Sequence, residues 1–146
     1  DPAPPHKVSD INKLRLTLLD NSLKMFERMR AVFSLRNSGD NEAVYALCEA
    51  FTDKSALLRH EVAYVLGQIQ NKAALPTLAL VLENEGEHIM VRHEAAEAMG
   101  AIGCRSSIPI LEKHLKNHNP EISESCEVAL DLLNFCLTEE YKTTDW

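Results

Sequence analysis

The chain has 146 residues, of which 45% are hydrophobic and only 5% aromatic, and its formal net charge is −7 at pH 7. This length and apolar content suffice for one ordinary core and exclude a disordered tail, while the negative charge argues against a nucleic-acid groove and suits a basic partner. No run of ~18 apolar residues is present for a membrane span, and the four cysteines without a CxxC pair favour a reducing, cytoplasmic compartment.

In chain order, residues 1–8 are rich in proline and predict an extended linker that leaves an earlier domain, so we expect a C-terminal half. From residue 9 to residue 146, apolar residues recur at helical spacing between short polar breaks, and no segment favours a strand. The predicted fold is an all-α solenoid of four helical hairpins. The hairpins occupy about residues 9–38, 41–70, 72–103 and 105–138.

An internal repeat supports the solenoid. The phrase Arg59-His60-Glu61 opens a stretch that ends at Gly67, and Arg92-His93-Glu94 opens a similar stretch 33 residues later that ends at Gly100. The same register places Ala74-Leu75-Pro76 on Ser107-Ile108-Pro109. A period in the low thirties is the size of one helical hairpin, so we expect the two His-Glu pairs on neighbouring helices.

The outer hairpins carry degenerate copies of the phrase. In the place of His-Glu they have Met29-Arg30 and Cys126-Glu127. Terminal repeats that depart from the inner pattern are typical of a capped solenoid. Cys126 stands where the inner repeats have histidine and offers a soft-metal ligand, but its apolar neighbours favour simple packing.

The inner pairs suggest a metal site. Adjacent residues on a helix diverge by about 100°, so the ligands must come from two helices, such as His60 with His93 and Glu94. Two imidazoles and one carboxylate with open positions are typical of iron(II) sites that use dioxygen, although zinc accepts the same donors. The HExxH pattern of zinc proteases is absent, because Tyr64 and Glu97 follow the two histidines at the fourth position.

Other interpretations remain open at this point. A solenoid of this kind can be a protein-binding scaffold without catalysis, and a zinc hydrolase could use the same ligands. Gly67 and Gly100 are explained by close helix packing, and Arg59 and Arg92 by pairing with acidic residues along the stack.

The chain resembles the C-terminal half of the deoxyhypusine hydroxylase family, whose members are HEAT-repeat proteins built from two similar halves. The resemblance covers nearly the whole chain. It rests on the proline-rich start at residues 1–5 and on the segments 26–28, 35–37, 59–68, 90–94 and 124–131.

The resemblance implies an oxidoreductase, a monooxygenase that uses iron and dioxygen to hydroxylate the deoxyhypusine side chain of a translation factor and so form hypusine. It makes His60, His93 and Glu94 the ligands of one Fe of a di-iron centre, and Glu61, Met90 and Gly67 substrate-binding residues. The N-terminal half of the enzyme supplies the second iron's ligands in this family. A lone half is therefore expected to be inactive.

Overall fold

The structure is a computed structural model that describes the backbone of residues 8–144 and the side chains of residues 10–138. The described part of the chain forms eight α-helices and no strand, which confirms the predicted all-α class. The helices are α1 (Val8–Leu19), α2 (Met25–Ser38), α3 (Asn41–Glu49), α4 (Ala56–Ile69), α5 (Leu75–Glu83), α6 (Ile89–Ile102), α7 (Ile108–Lys113) and α8 (Pro120–Thr144). Short 3₁₀ turns adjoin four of the ends, at Ala50–Thr52, Lys72–Ala74, Arg105–Ser107 and His114–Lys116.

Local sequence signals explain where the helices start and stop. The Asp40 and Ser55 side chains cap α3 and α4 by accepting hydrogen bonds from backbone N–H groups of the first turn. Gly39 and Gly103 end α2 and α6 in the left-handed conformation, with φ of 65° and 73°. Gln70 ends α4 in the same conformation, with φ of 59°.

The last helix is longer than the sequence analysis predicts. Periodicity suggests an end near Leu137, whereas α8 continues to Thr144. No glycine or proline follows Pro120 in the sequence, so nothing in this stretch breaks a helix once it has begun. At the other end of the chain, residues 1–7 of the predicted linker lie outside the described residues.

The second helices of successive hairpins stack side by side, so α4 packs on α2, α6 on α4, and α8 on α6. Leu66 of α4 and Met99 of α6 occupy equivalent places in the repeat, and both are buried in the core between these helices. Small residues permit the close approach: a Cβ on Gly67 would lie 3.0 Å from the Cα of Ala98. This stacking brings equivalent residues of α4 and α6 next to one another.

Among the described helices, none combines the length and the apolar character that crossing a membrane requires.

Candidate metal centre

The two His-Glu pairs lie next to one another on α4 and α6. His60 Nε2 is 3.5 Å from Glu94 Oε1, so the first histidine of one repeat reaches the carboxylate of the next. Both side chains are partly buried, with 31% of the His60 side chain and 13% of the Glu94 side chain exposed. The stack therefore joins residues from two repeats, as the sequence predicts.

A group of three side chains that could hold a metal ion lies on α6 itself. One ligand-type atom from each of His93, Glu94 and Glu97 lies within 4.8 Å of the other two. The His93 ring also faces Glu97 directly, with Nε2 3.3 Å from Oε1. His60 is connected to this group through Glu94.

Glu97 is a site residue that the sequence analysis noted only as evidence against HExxH. It follows His93 by four positions and Glu94 by three on one helix, a spacing that makes its side chain a neighbour of each of the other two. That spacing was available in the sequence. The equivalent residue of the preceding repeat is Tyr64. Glu97 is therefore not part of the phrase that the two repeats share, and a search for shared residues does not find it.

The charge balance of the site favours a bound cation. Burial is the largest influence on Glu94 and raises its pKa, and the neighbouring charges of Glu97 and Glu61 raise it further. His60 and His93 act in the opposite direction but do not cancel this effect. Three carboxylates, those of Glu61, Glu94 and Glu97, thus act on one another beside two imidazoles, an arrangement that a bound cation would stabilise.

The predicted substrate residues surround this cluster. Glu61 Oε1 is 3.7 Å from His60 Nδ1. Gly67 lines a groove of about 220 Å³ beside Glu94, and Met90 lines a second groove of about 290 Å³ beside His93. Met90 and Gly67 thus lie in two different grooves.

Glu97 lines both grooves and lies between them. The described residues that line the two grooves include Glu94, Glu97, Glu121 and Glu124, and none of these lining residues is a lysine or an arginine. Carboxylates in a groove whose lining contains no lysine or arginine attract cations, so both grooves suit a metal ion or an amine.

The repeated arginines do not lie in this cluster. Arg59 forms a double contact with the Glu87 carboxylate, at 2.9 Å from Nε and 2.7 Å from Nη2, as expected for pairing along the stack. Arg92 differs from the expectation: it is buried, and its Nε donates to the backbone carbonyl of Leu82 rather than to an acid.

Cys126 is a packing residue in the structure. It is fully buried in the core, and burial raises the pKa of its thiol to about 11. A thiol that resists ionisation is a poor metal ligand, because metals bind the thiolate.

Comparisons with known proteins agree with this fold. A family model described as HEAT repeats matches residues 16–89, and a second, described as PBS lyase HEAT-like repeat, matches residues 91–117. The deoxyhypusine hydroxylase of Danio rerio is 48% identical over 145 residues, which is 99% of this chain and 48% of that protein. The enzyme of the same name from Arabidopsis thaliana is 57% identical over 136 residues, 92% of this chain and 43% of that protein.

A solved structure of human deoxyhypusine hydroxylase in complex with glycerol superimposes with a TM-score of 0.85 at 50% identity, covering 92% of this chain and 47% of that one. The chain spans about half the length of the curated relatives it matches. The match to the HEAT-repeat family model and the stacked helices show that the chain belongs to the HEAT-repeat family. The alignments show that it is homologous over nearly its whole length to deoxyhypusine hydroxylases.

Proposed function

We propose that this chain carries half of the active site of a deoxyhypusine hydroxylase, an iron- and dioxygen-dependent monooxygenase acting on the deoxyhypusine side chain of a translation factor. One observation carries the proposal: the two repeated His-Glu pairs meet across α4 and α6, with Glu94 3.5 Å from His60 and grouped with His93. The relatives that share this half of the sequence bear the name of that enzyme.

In this proposal, His60, His93 and Glu94 hold one iron. Two imidazoles and a carboxylate are the donor set suited to iron(II), and a dication would offset the repulsion of Glu94 by Glu97 and Glu61. Iron bound in this way supplies the capacity to activate dioxygen for hydroxylation. The chain itself supplies the partly buried position of the ligands, which limits access of water.

The remaining carboxylates are assigned to the substrate. Glu61 lies beside His60, and Glu97 lies between the two grooves, so both can bind the cationic amines of a polyamine-like side chain without serving as ligands. Met90 and Gly67 line these grooves and would contact the apolar carbons of the same side chain. A protein substrate in translation suits a cytoplasmic enzyme, which we include in the proposal.

The second half of the enzyme is also part of the proposal. We infer that this chain corresponds to the C-terminal half and that the N-terminal half provides the ligands of the second iron. The support is the resemblance of its motifs to that half and its coverage of about half of each relative. Alone, the chain should bind at most one iron tightly and show no turnover.

Metal analysis tests the ligand set. After anaerobic incubation with ferrous ion and removal of excess metal, elemental analysis should find up to about one iron per chain and markedly less in His93→Ala. The control is His118→Ala, which alters an exposed histidine in the loop before α8. Equal iron in His93→Ala and the unaltered chain would overturn the proposed site and favour a HEAT-repeat scaffold without catalysis.

Turnover tests the division into halves. Mass spectrometry of a deoxyhypusine-containing translation factor should show one added oxygen only when this chain is combined with a separately produced N-terminal half. Hydroxylation by this chain alone would refute the need for that half. A folded, iron-loaded complex of both halves without hydroxylation would refute the assigned activity.

A further inference from the structure

Ser125 of α8 lies directly behind His93. Its side chain is buried, and its Oγ is in hydrogen-bond contact with Nδ1 of the His93 ring. The same hydroxyl donates to the backbone carbonyl of Glu121, one turn earlier on α8. Ser125 thus connects a histidine of α6 to the backbone of the next repeat.

The two contacts determine where the His93 proton lies. A hydroxyl has a single hydrogen and a carbonyl oxygen can only accept, so the Ser125 proton is committed to Glu121. The Ser125 oxygen must then accept a proton from Nδ1 of His93. In the neutral ring this leaves Nε2, the nitrogen that faces Glu97, without a proton and able to bind a metal.

The repeat comparison shows that this contact is specific to one hairpin. Ser125 stands 33 residues after Arg92, which itself stands 33 after Arg59. Arginine has no acceptor atom, so it could not take a proton from a histidine ring. The change from arginine to serine supplies both the acceptor and the space beside His93. His60 has Arg92 at the equivalent position and instead has Glu61 3.7 Å from its Nδ1.

We propose that Ser125 is a positioning residue that holds His93 with its proton on Nδ1, so that Nε2 is free for the metal. The tautomer is inferred from the direction of the Ser125–Glu121 hydrogen bond, whereas the benefit to metal binding rests on the proposed function. The Glu97 carboxylate, 3.3 Å from Nε2, competes for the proton in the unaltered chain. Without Ser125, Nδ1 loses its acceptor and the proton moves to Nε2, the nitrogen that the metal needs.

Nitrogen NMR of the metal-free chain tests the tautomer. Two-bond and three-bond proton–nitrogen correlations, recorded at a pH where the ring is neutral, should show His93 protonated at Nδ1. In Ser125→Ala the proton should move predominantly to Nε2, and in Ser125→Thr, which keeps the hydroxyl, it should stay on Nδ1. Ser123→Ala is the matched control, because the Ser123 hydroxyl bonds only to the backbone of the same helix at Pro120.

A ring protonated at Nε2 in the unaltered chain, or the same tautomer in Ser125→Ala, would overturn the proposal. Thermal unfolding of each variant by circular dichroism ensures that the tautomer is compared in folded proteins.

Titration with ferrous ion under anaerobic conditions separates this inference from the proposed function. We expect Ser125→Ala to weaken iron binding about 10- to 100-fold and Ser125→Thr and Ser123→Ala to retain it. A shifted tautomer with unchanged iron affinity would overturn the link to metal binding. Iron affinity that His93→Ala leaves unaltered would remove the proposed metal site, while the tautomer result would stand.

Discussion

His60 and His93 occupy equivalent places in neighbouring repeats but have different surroundings. His60 lies between Glu61 and Glu94, at 3.7 and 3.5 Å. His93 lies between Glu97 and a buried serine hydroxyl. Repetition thus supplies two imidazoles, and the residues that differ between the repeats decide how each ring is held.

Residue-scale expectations from the sequence were accurate where a motif repeats and incomplete where it does not. The closeness of His60 and Glu94 could be predicted from the 33-residue spacing and from the side-by-side stacking of hairpins. Glu97 and Ser125 were missed because each is a departure from the repeated phrase. The Ser125 contact also depends on side-chain rotation across two helices, which periodicity does not encode.

The cysteines allow a test of burial at this scale. Burial raises the pKa of the Cys126 thiol to about 11, which leaves about one thiol in a thousand ionised at pH 8. Cys104 is the opposite case, since hydrogen bonds from the Ser106 side chain and backbone lower the pKa of its thiol. We expect iodoacetamide at pH 8 to label Cys104 first and Cys126 only after unfolding.

Peptide mass spectrometry over a labelling time course would measure this order, with the exposed Cys136 as the internal reference. Rapid labelling of Cys126 in the folded chain would contradict its place in the core.

At the scale of helices, the distance between neighbouring helices depends on small residues at their contact. A Cβ on Gly100 of α6 would lie 2.8 Å from both Cα and Cβ of Ala129 on α8. The equivalent contact of Gly67 with Ala98 is less severe, at 3.0 and 3.2 Å. This packing role is the one that the sequence predicts for both glycines, and the contacts with Ala98 and Ala129 confirm it.

Gly100→Ala should therefore destabilise the chain. Overpacking against backbone costs about 1–3 kcal/mol, and the better helix propensity of alanine recovers at most about 1 kcal/mol of this. Urea unfolding should show a net loss for Gly100→Ala, a smaller loss for Gly67→Ala, and little change for Gly86→Ala in the exposed loop before α6. Equal stabilities for the Gly100 and Gly86 variants would contradict the packing contact.

The extents of the helices were partly predictable from sequence. Helix α6 ends at Ile102 as expected, because Gly103 is a strong stop signal in the left-handed conformation. The far end of α8 was placed too early, since the apolar stripe fades before the helix itself ends. The apolar stripe indicates which face of a helix is buried, and the helix can continue beyond the last buried residue.

On the scale of the whole molecule, buried arginines connect successive hairpins. Arg28 of α2 donates to Asp53, which precedes α4, and the Arg59 side chain donates to the Asp53 backbone carbonyl. Both partners of the Arg28–Asp53 ion pair are largely buried, with side-chain exposures of 5% and 8%. Successive repeats are therefore held together by an ion pair between an arginine and an acid of the next repeat, in addition to apolar contacts.

Asp53→Asn should reduce the free energy of unfolding by about 3 kcal/mol at pH 7, because it leaves Arg28 buried without its counter-ion. Burial raises the pKa of Asp53, but the hydrogen bonds from Arg28 and Ser55 and the charges of both arginines outweigh it and leave the pKa below its ordinary 3.8. This carboxylate therefore stabilises the fold above about pH 3.8, and its contribution disappears as pH falls through the lowered pKa.

Urea unfolding of the unaltered chain and of Asp53→Asn should consequently differ at pH 7 and converge well below pH 3.8. Glu49→Gln is the control, since the Arg15–Glu49 pair is exposed and should contribute little to stability. A stability difference for Asp53→Asn that persists unchanged into strong acid would rule out the ion pair as its source.

The glycine contact between α6 and α8 also determines the precision of the site. Gly100 lies two helical turns after His93, and Ala129 lies one turn after Ser125, so the approach at Gly100 sets the distance across which serine meets histidine. Because Gly100 has no side chain, the backbones of α6 and α8 can approach closely at this point. A methyl group added there would push α8 outward and lengthen the contact behind His93, so a residue with no functional group would tune the candidate metal site from about 10 Å along the helix.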